Sequence, residues 1–220
     1  MRISGKLERY SASKEPKAKY YIIPEGDNTE IKYFCGIRDN REELQIKPII
    51  EIIPIENDET EIGHSHPKKK IENFNDDLNN EKFLFDNEID KVCFIIDRDP
   101  KNFKKEQLDD FIKECKNFGY DVFLSNPTFE LFLLMHDNKI FDIDKEELLK
   151  NKKVSNNKRF LEIKLSEIFG CNKRNLRFNL FKGKINTAIK NEKQFCEDLE
   201  KLKTELGSNI GKLVESMIDK

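Results

Sequence analysis

Residues 91–96 read Lys-Val-Cys-Phe-Ile-Ile, and Asp97-Arg98-Asp99-Pro100 follows at once. The apolar run does not alternate with polar residues, so both faces of the strand it forms must be covered. Such a strand belongs inside a mainly parallel sheet with helices on either side. The abrupt switch to two acids, two residues apart, sets negative charge at the carboxyl end of that strand.

The flanking sequence fits this frame. Residues 20–23 are a short β-prone run broken by Pro24-Glu25-Gly26-Asp27-Asn28, which reads as strand then turn. Asn28 or Thr29 is placed to cap a helix with Tyr33, Phe34 and Ile37 on one face. Residues 47–55 suit a second strand with Pro48 and Pro54 at its limits. An acidic loop over 56–69 and a helical stretch over 70–84 come next. Residues 103–118 have the spacing of an amphipathic helix, closed by Gly119. A fourth strand over 120–124 leads through Ser125-Asn126-Pro127 to an apolar helix over 128–136. Beyond residue 141 no strand is expected, only helices near 144–150, 157–169, 184–206 and 208–219. The expectation is an α/β fold: a mainly parallel sheet flanked by helices, with a C-terminal helical extension. The expected division is a polar arm over 1–18, a sheet domain over 19–140 and a basic helical region over 141–220.

At 220 residues the chain buries roughly 70–75% of its unfolded surface, enough for a core without staples. Its longest apolar stretch, residues 131–135, is far too short to span a bilayer, so no membrane association is expected. The N-terminus has no apolar segment of a secretory signal. Five scattered cysteines without a CxxC pair argue against disulfides and structural zinc. A reducing cytoplasm is the expected compartment.

The net charge of −2 hides an asymmetry. Residues 51–90 hold twelve acids and four lysines, whereas residues 150–190 hold twelve bases and two acids. The basic stretch fits contact with a phosphate backbone, although such runs are often solvated helix faces. Lys173, Arg174 and Arg177 are the strongest candidates there, because arginine forks match phosphate. Lys182, Lys184 and Lys190 are candidates for phosphate contact or for stabilising charge on a reacting phosphorus.

Acids fall where ligands bind in open parallel sheets, beyond the carboxyl ends of the strands. Glu25 follows the first strand, Asp97 and Asp99 the third, Asn126 and Glu130 the fourth, and Glu30 lies one turn into the first helix. The bland readings are turn acids, helix caps and an Asx turn at Asn126. Converging carboxylates repel one another and stay ionised only beside a cation. An all-oxygen set favours Mg²⁺ or Mn²⁺ over zinc, and the chemistry such a site serves is phosphoryl transfer. His136 reads as a packing histidine, and His64 and His66 lie in a loop that makes a poor metal site.

Three motifs taken together are more specific: Ile22-Ile23-Pro24-Glu25-Gly26-Asp27-Asn28-Thr29-Glu30, Phe94-Ile95-Ile96-Asp97-Arg98-Asp99 and Ser125-Asn126-Pro127-Thr128-Phe129-Glu130-Leu131. In order and spacing they resemble the RloB-like family of the Toprim superfamily, over about residues 20–136. The tail resembles it more loosely, through Ala188-Ile189-Lys190-Asn191 and Ser208-Asn209-Ile210. Pro24 stands where the family more usually has cysteine or an apolar residue.

The resemblance implies a Mg²⁺-dependent nuclease of bacterial anti-phage defence, often encoded beside a large ATPase. It assigns Glu25 as general acid/base or metal ligand and Asp97 and Asp99 as the metal-binding pair. Glu30 and Glu130 match further acidic positions that complete a second metal site. Topoisomerase and primase actions need more chain than is present, which leaves hydrolysis of DNA or RNA, with tRNA among the candidates. Two other functions compete: a catalytically silent regulatory or adaptor subunit of an ATPase-containing complex, and a phosphoryl-transfer enzyme for small nucleotides. A homo-oligomer is compatible with any of them.

Overall fold

The computed structural model describes residues 18–26, 28–47, 50–54, 67–99, 104–155 and 158–219. Asp27, Pro48, nearly all of the expected polar arm, and the part of the acidic loop with His64 and His66 lie outside them. The first half runs β1 (Ala18–Pro24), α1 (Thr29–Asp39), β2 (Ile50–Pro54), α2 (Pro67–Asn79), β3 (Lys91–Asp97), α3 (Lys105–Asn117), β4 (Asp121–Asn126) and α4 (Phe129–Leu134). The second half adds α5 (Lys145–Lys150), β5 (Lys153–Ser155), β6 (Lys158–Arg159), α6 (Phe160–Phe169), α7 (Ile185–Glu192), α8 (Leu199–Leu202), β7 (Gly207–Ser208) and α9 (Ile210–Met217).

The five-stranded sheet has the order β2-β1-β3-β4-β7. Its first four strands are parallel, with Ile22 opposite Cys93, Ile95 opposite Phe123 and Asp97 opposite Ser125. Period-two alternation sends successive residues of one strand into two separate cores. Tyr20, Ile22, Cys93 and Ile95 join α1, α4, α6, α7 and α9 on one face. Tyr21, Ile23, Val92, Phe94 and Ile96 join α2 and α3 on the other. The unbroken apolar runs thus have the two covered faces their sequence calls for.

Several local expectations need correction. β7 lies beyond residue 141 and pairs antiparallel with Ser125 and Asn126. At two residues it is too short to show any periodicity. The polar hairpin of β5 and β6 escaped notice for the same reason. The helix expected over 184–206 is two helices, because the Asp198 carboxylate accepts from the amides of Glu200 and Lys201 and starts α8 afresh. Asn28 occupies the cap position of α1 but makes no side-chain cap bond. The Thr29 hydroxyl instead donates across to the Lys173 carbonyl at 3.1 Å. Gly119 closes α3 with φ of +74°, the left-handed value that favours glycine.

The C-terminal elements do not hang from the sheet. Phe181, Ile189, Leu213, Val214 and Met217 belong to the same buried cluster as Ile22 and Ile95. His136 sits inside it as a packing residue. Its Nδ1 lies 3.2 Å from the carbonyls of Phe132 and Leu133, so Nδ1 carries the proton. Its Nε2 then accepts from the Tyr33 hydroxyl at 2.9 Å. The rings of Tyr33, Phe132 and Phe181 surround the imidazole edge-on.

Burial pulls the His136 pKa down to about 4, and the nearby Lys184 charge acts the same way. The unfolded imidazole, with its ordinary value near 6.5, binds protons more readily than the folded one. Stability from this group is therefore complete above about pH 6.5 and is lost as pH falls toward 4. We predict that the stability gap between the wild type and His136→Gln, measured by urea denaturation, narrows as pH is lowered across that window. A gap independent of pH there would show that the imidazole charges freely in the folded chain.

Candidate functional site

The acids gather at the carboxyl edge of the sheet because each ends an element aimed there. The Glu25 amide donates to the Ile95 carbonyl at 2.8 Å, carrying the β1–β3 ladder one residue beyond Pro24. Glu25 Oε2 in turn accepts from the Asp97 amide at 2.9 Å. Asp97 Oδ1 accepts from the Phe129 amide at 2.8 Å, the first residue of α4. Two strands and a helix are thus joined through two carboxylates.

Glu30 and Glu130 are both buried. Glu30 lies over Gly26, where a Cβ would come 2.9 Å from its Oε2. A larger residue at 26 would make the Glu30 carboxylate shift. Glu130 Oε2 accepts from the Thr128 hydroxyl at 2.6 Å. Burial raises the Glu30 pKa to about 7, helped by the charges of Glu130 and Glu25. Burial also holds Asp97 well above the carboxylate range, and Glu30, Glu25 and Glu130 push it further. Glu25 is raised by burial as well. The Asp97 amide and the Lys70 charge oppose that rise, and Asp99 adds to it. Glu25, Glu30 and Glu130 therefore all act on Asp97, and Asp99 acts on Glu25.

Asp99 is turned to a partner that the sequence did not suggest. Its Oδ2 lies 2.9 Å from the Arg159 guanidinium, at the end of β6. Lys173 forms an ion pair with Glu162, in the first turn of α6. Burial pulls the Lys173 ammonium down, but the bond to Glu162 and the fields of Glu130, Glu162 and Asp97 outweigh it and leave its pKa raised. Thr29 and Lys32 of α1 hold this loop by bonds to the carbonyls of Lys173 and Arg174, the second at 2.6 Å.

The other basic candidates are placed differently. Lys182 pairs with Glu43 and Lys184 with Asp137, each at 2.7 Å. The Arg177 guanidinium donates to the Gly170 carbonyl at 3.0 Å. Arg174 and Lys190 are exposed. Of the six, Lys173 is the one whose charge interacts with the edge acids. Asn126 is structural: its amide donates to the carbonyls of Leu202 and Glu205, both at 2.9 Å. A cleft of about 650 Å³ runs along α1 past Lys32, Cys35, Asp39 and Arg177, but none of the five acids lines it.

Lys70 is a further site residue that sequence reasoning missed. Buried on α2, it donates to the carbonyls of Pro24 at 2.7 Å and Glu25 at 3.0 Å. A signal existed: Lys70 lies four residues before Phe74, on the same face of the helix, and Phe74 is buried. Lys70, Arg159 and Lys173 set three cations against Glu25, Glu30, Asp97, Asp99, Glu130 and Glu162.

The acids supply only oxygen donors, which in kind suit Mg²⁺ or Mn²⁺. No three acid, histidine or cysteine side chains among the described residues stand in ready-made coordination geometry. The bonds above explain why: one oxygen each of Glu25 and Asp97 faces an amide, one of Glu130 a hydroxyl, and one of Asp99 a guanidinium. No helix of the described residues is long and apolar enough to cross a membrane.

Fold and edge together define an α/β protein with a largely buried acid cluster at the carboxyl end of a parallel sheet, Glu25 and Asp97 being only partly covered. A family model for RloB-like protein matches residues 20–217, and the chain belongs to the RloB-like family. The match begins in β1 and ends with α9, so it takes in the three acidic motifs and the C-terminal elements alike. No curated protein and no solved structure matches the chain.

We predict that Lys70→Met costs about 1.5–3 kcal/mol of stability, the usual loss for a charge-assisted hydrogen bond. Urea denaturation at neutral pH measures it. Unchanged stability would mean that Lys70 does not hold the end of β1.

Proposed function

We propose that the chain is a Mg²⁺- or Mn²⁺-dependent nuclease that hydrolyses phosphodiester bonds in DNA or RNA, tRNA included, as an effector of bacterial anti-phage defence. One observation carries this reading: Glu25, Glu30, Asp97, Asp99 and Glu130, from four separate segments, converge at one sheet edge where their charges repel. Membership of the RloB-like family supports it, and the strand-one glutamate with the strand-three acid pair resembles the Toprim pattern.

On this reading Glu25, Asp97 and Asp99 hold one cation, and Glu30 and Glu130 complete the site for a second. When bound, such a cation polarises a phosphate oxygen and makes water a better nucleophile. Glu25 is the candidate general acid/base, and the Asp97 amide donated to its Oε2 fixes how its carboxylate is oriented. Lys70 fixes the Glu25 backbone from beneath. The chain acts in the cytoplasm, alone or as a homo-oligomer, with an ATPase partner as sensor or scaffold.

A catalytically silent adaptor is the second reading. The Asp99–Arg159 pair favours it, because a cation already occupies part of the acid pair.

The test is incubation of the full chain with plasmid, single-stranded DNA and total tRNA, with Mg²⁺ or Mn²⁺ and with chelator. Metal-dependent cleavage is expected, and Asp97→Asn should reduce it at least about 100-fold, the scale of losing a principal catalytic group. The substitution keeps an acceptor for the Phe129 amide and removes one repelling charge, so the variant should melt no lower than the wild type without metal. Mg²⁺ should raise the melting temperature of the wild type and not of the variant. Failure of Mg²⁺ and Mn²⁺ to shift the wild type, with every nucleic acid intact, would favour the silent adaptor.

A further inference from the structure

Arg159 lies outside every motif that pointed to the site, yet its guanidinium is in contact with Asp99. It is the last residue of β6 and the one before α6, so two elements fix its backbone. Its side chain is 37% exposed, whereas that of Asp99 is 10% exposed. The guanidinium therefore faces both the acid and the solvent. Lys173 repeats the arrangement: its side chain is 46% exposed and its partner Glu162 is 11% exposed. Glu162 lies in the first turn of α6, three residues after Arg159, so both pairs sit at the same end of that helix.

Two half-exposed cations flanking buried acids make an anion site with a built-in stand-in. Unliganded, Asp99 and Glu162 satisfy the donors. A guanidinium presents a planar fork that matches two phosphate oxygens as well as it matches a carboxylate. A divalent cation taken up by Asp97 and Asp99 would compete with Arg159 for the same carboxylate and free the fork toward solvent.

We propose that Arg159, with Lys173 beside it, binds the non-bridging oxygens of the nucleic-acid phosphate presented to the acids, exchanging Asp99 and Glu162 for that phosphate. This inference rests on reading the acid cluster as a phosphodiester site. It separates Lys173 from the other basic residues of its region. Lys182 and Lys184 pair with acids outside the cluster, so they have no share in this contact.

The experiment measures fluorescence anisotropy of a short labelled single strand, DNA and RNA in turn, with the full chain in Ca²⁺ at several salt concentrations. Arg159→Gln should weaken binding about tenfold and lower the slope of log affinity against log salt by about 0.7, the increment for one phosphate contact on a single strand. Arg159→Lys, which keeps the charge but loses the fork, should recover part of the affinity and all of the slope. Lys182→Gln should change neither. Thermal melting of each variant reads the structural share of the Asp99 pair.

Unchanged affinity and slope in Arg159→Gln, whether or not its melting temperature falls, would overturn the inference and reduce the pair to a structural one. So would a wild type that binds neither strand. The nuclease reading stands or falls separately. A cleaving wild type with an unaffected Arg159→Gln refutes the phosphate contact alone. A non-cleaving wild type whose affinity depends on Arg159 supports the contact and removes the nuclease.

Discussion

Buried carboxylates at one sheet edge repel, and the chain answers with hydrogen bonds and with cations brought from elsewhere. Glu25 and Asp97, both partly buried, each accept a backbone amide, which stabilises their negative charge. Those two bonds also tie β1 to β3 and β3 to α4. The residues that create the electrostatic problem thus fasten the elements that hold them. Glu30 and Asp97 are nevertheless held above the ordinary carboxylate range, so the repulsion is only partly relieved. A cluster in that condition is stabilised by added positive charge, which is the physical basis of the cation-binding proposal.

The three cations already present come from segments outside the parallel core. Lys70 comes from α2, Arg159 from the end of β6, and Lys173 from the loop after α6. They differ in kind. Lys70 is buried and bonds to backbone carbonyls, which fixes it in place. Arg159 and Lys173 are half-exposed and bond to carboxylates. Burial therefore separates Lys70 from the two cations that face solvent.

Much of this architecture was legible in the sequence, and the reasons are local. Non-alternating runs marked the parallel strands, Gly119 marked a helix end, and acids directly after strands marked the edge. His136 was legible as a packing residue because it ends an apolar helix. What escaped depends on partners far away in the chain. Two-residue β7 has no pattern of its own and exists because β4 offers it an edge. Arg159 and Glu162 were counted in a basic stretch, and composition does not say which of its charges turn inward. The spacing of Asp97 and Asp99 did put both at the edge, but it does not foresee that Asp99 meets a guanidinium.

The residue between those two acids shows why the C-terminal half and the edge form one structure. In an extended segment Arg98 points opposite to Asp97 and Asp99. It is buried, and its Nε donates to the Lys203 carbonyl at 2.9 Å. Its amide donates to the Ser125 carbonyl at 2.8 Å, which extends the ladder with β4. The Leu124 amide donates to the Asn209 side chain, and Asn126 reaches Leu202 and Glu205. The strand ends that present the acids are therefore bonded on their other side to α8, β7 and the start of α9. Arg98 thus ties the segment that carries both carboxylates to the end of α8 as well as to β4. A chain cut after α4 would keep all five acids and the Phe129 amide on Asp97, but lose Arg159 from Asp99 and the bonds of Arg98, Leu124 and Asn126 to the C-terminal elements.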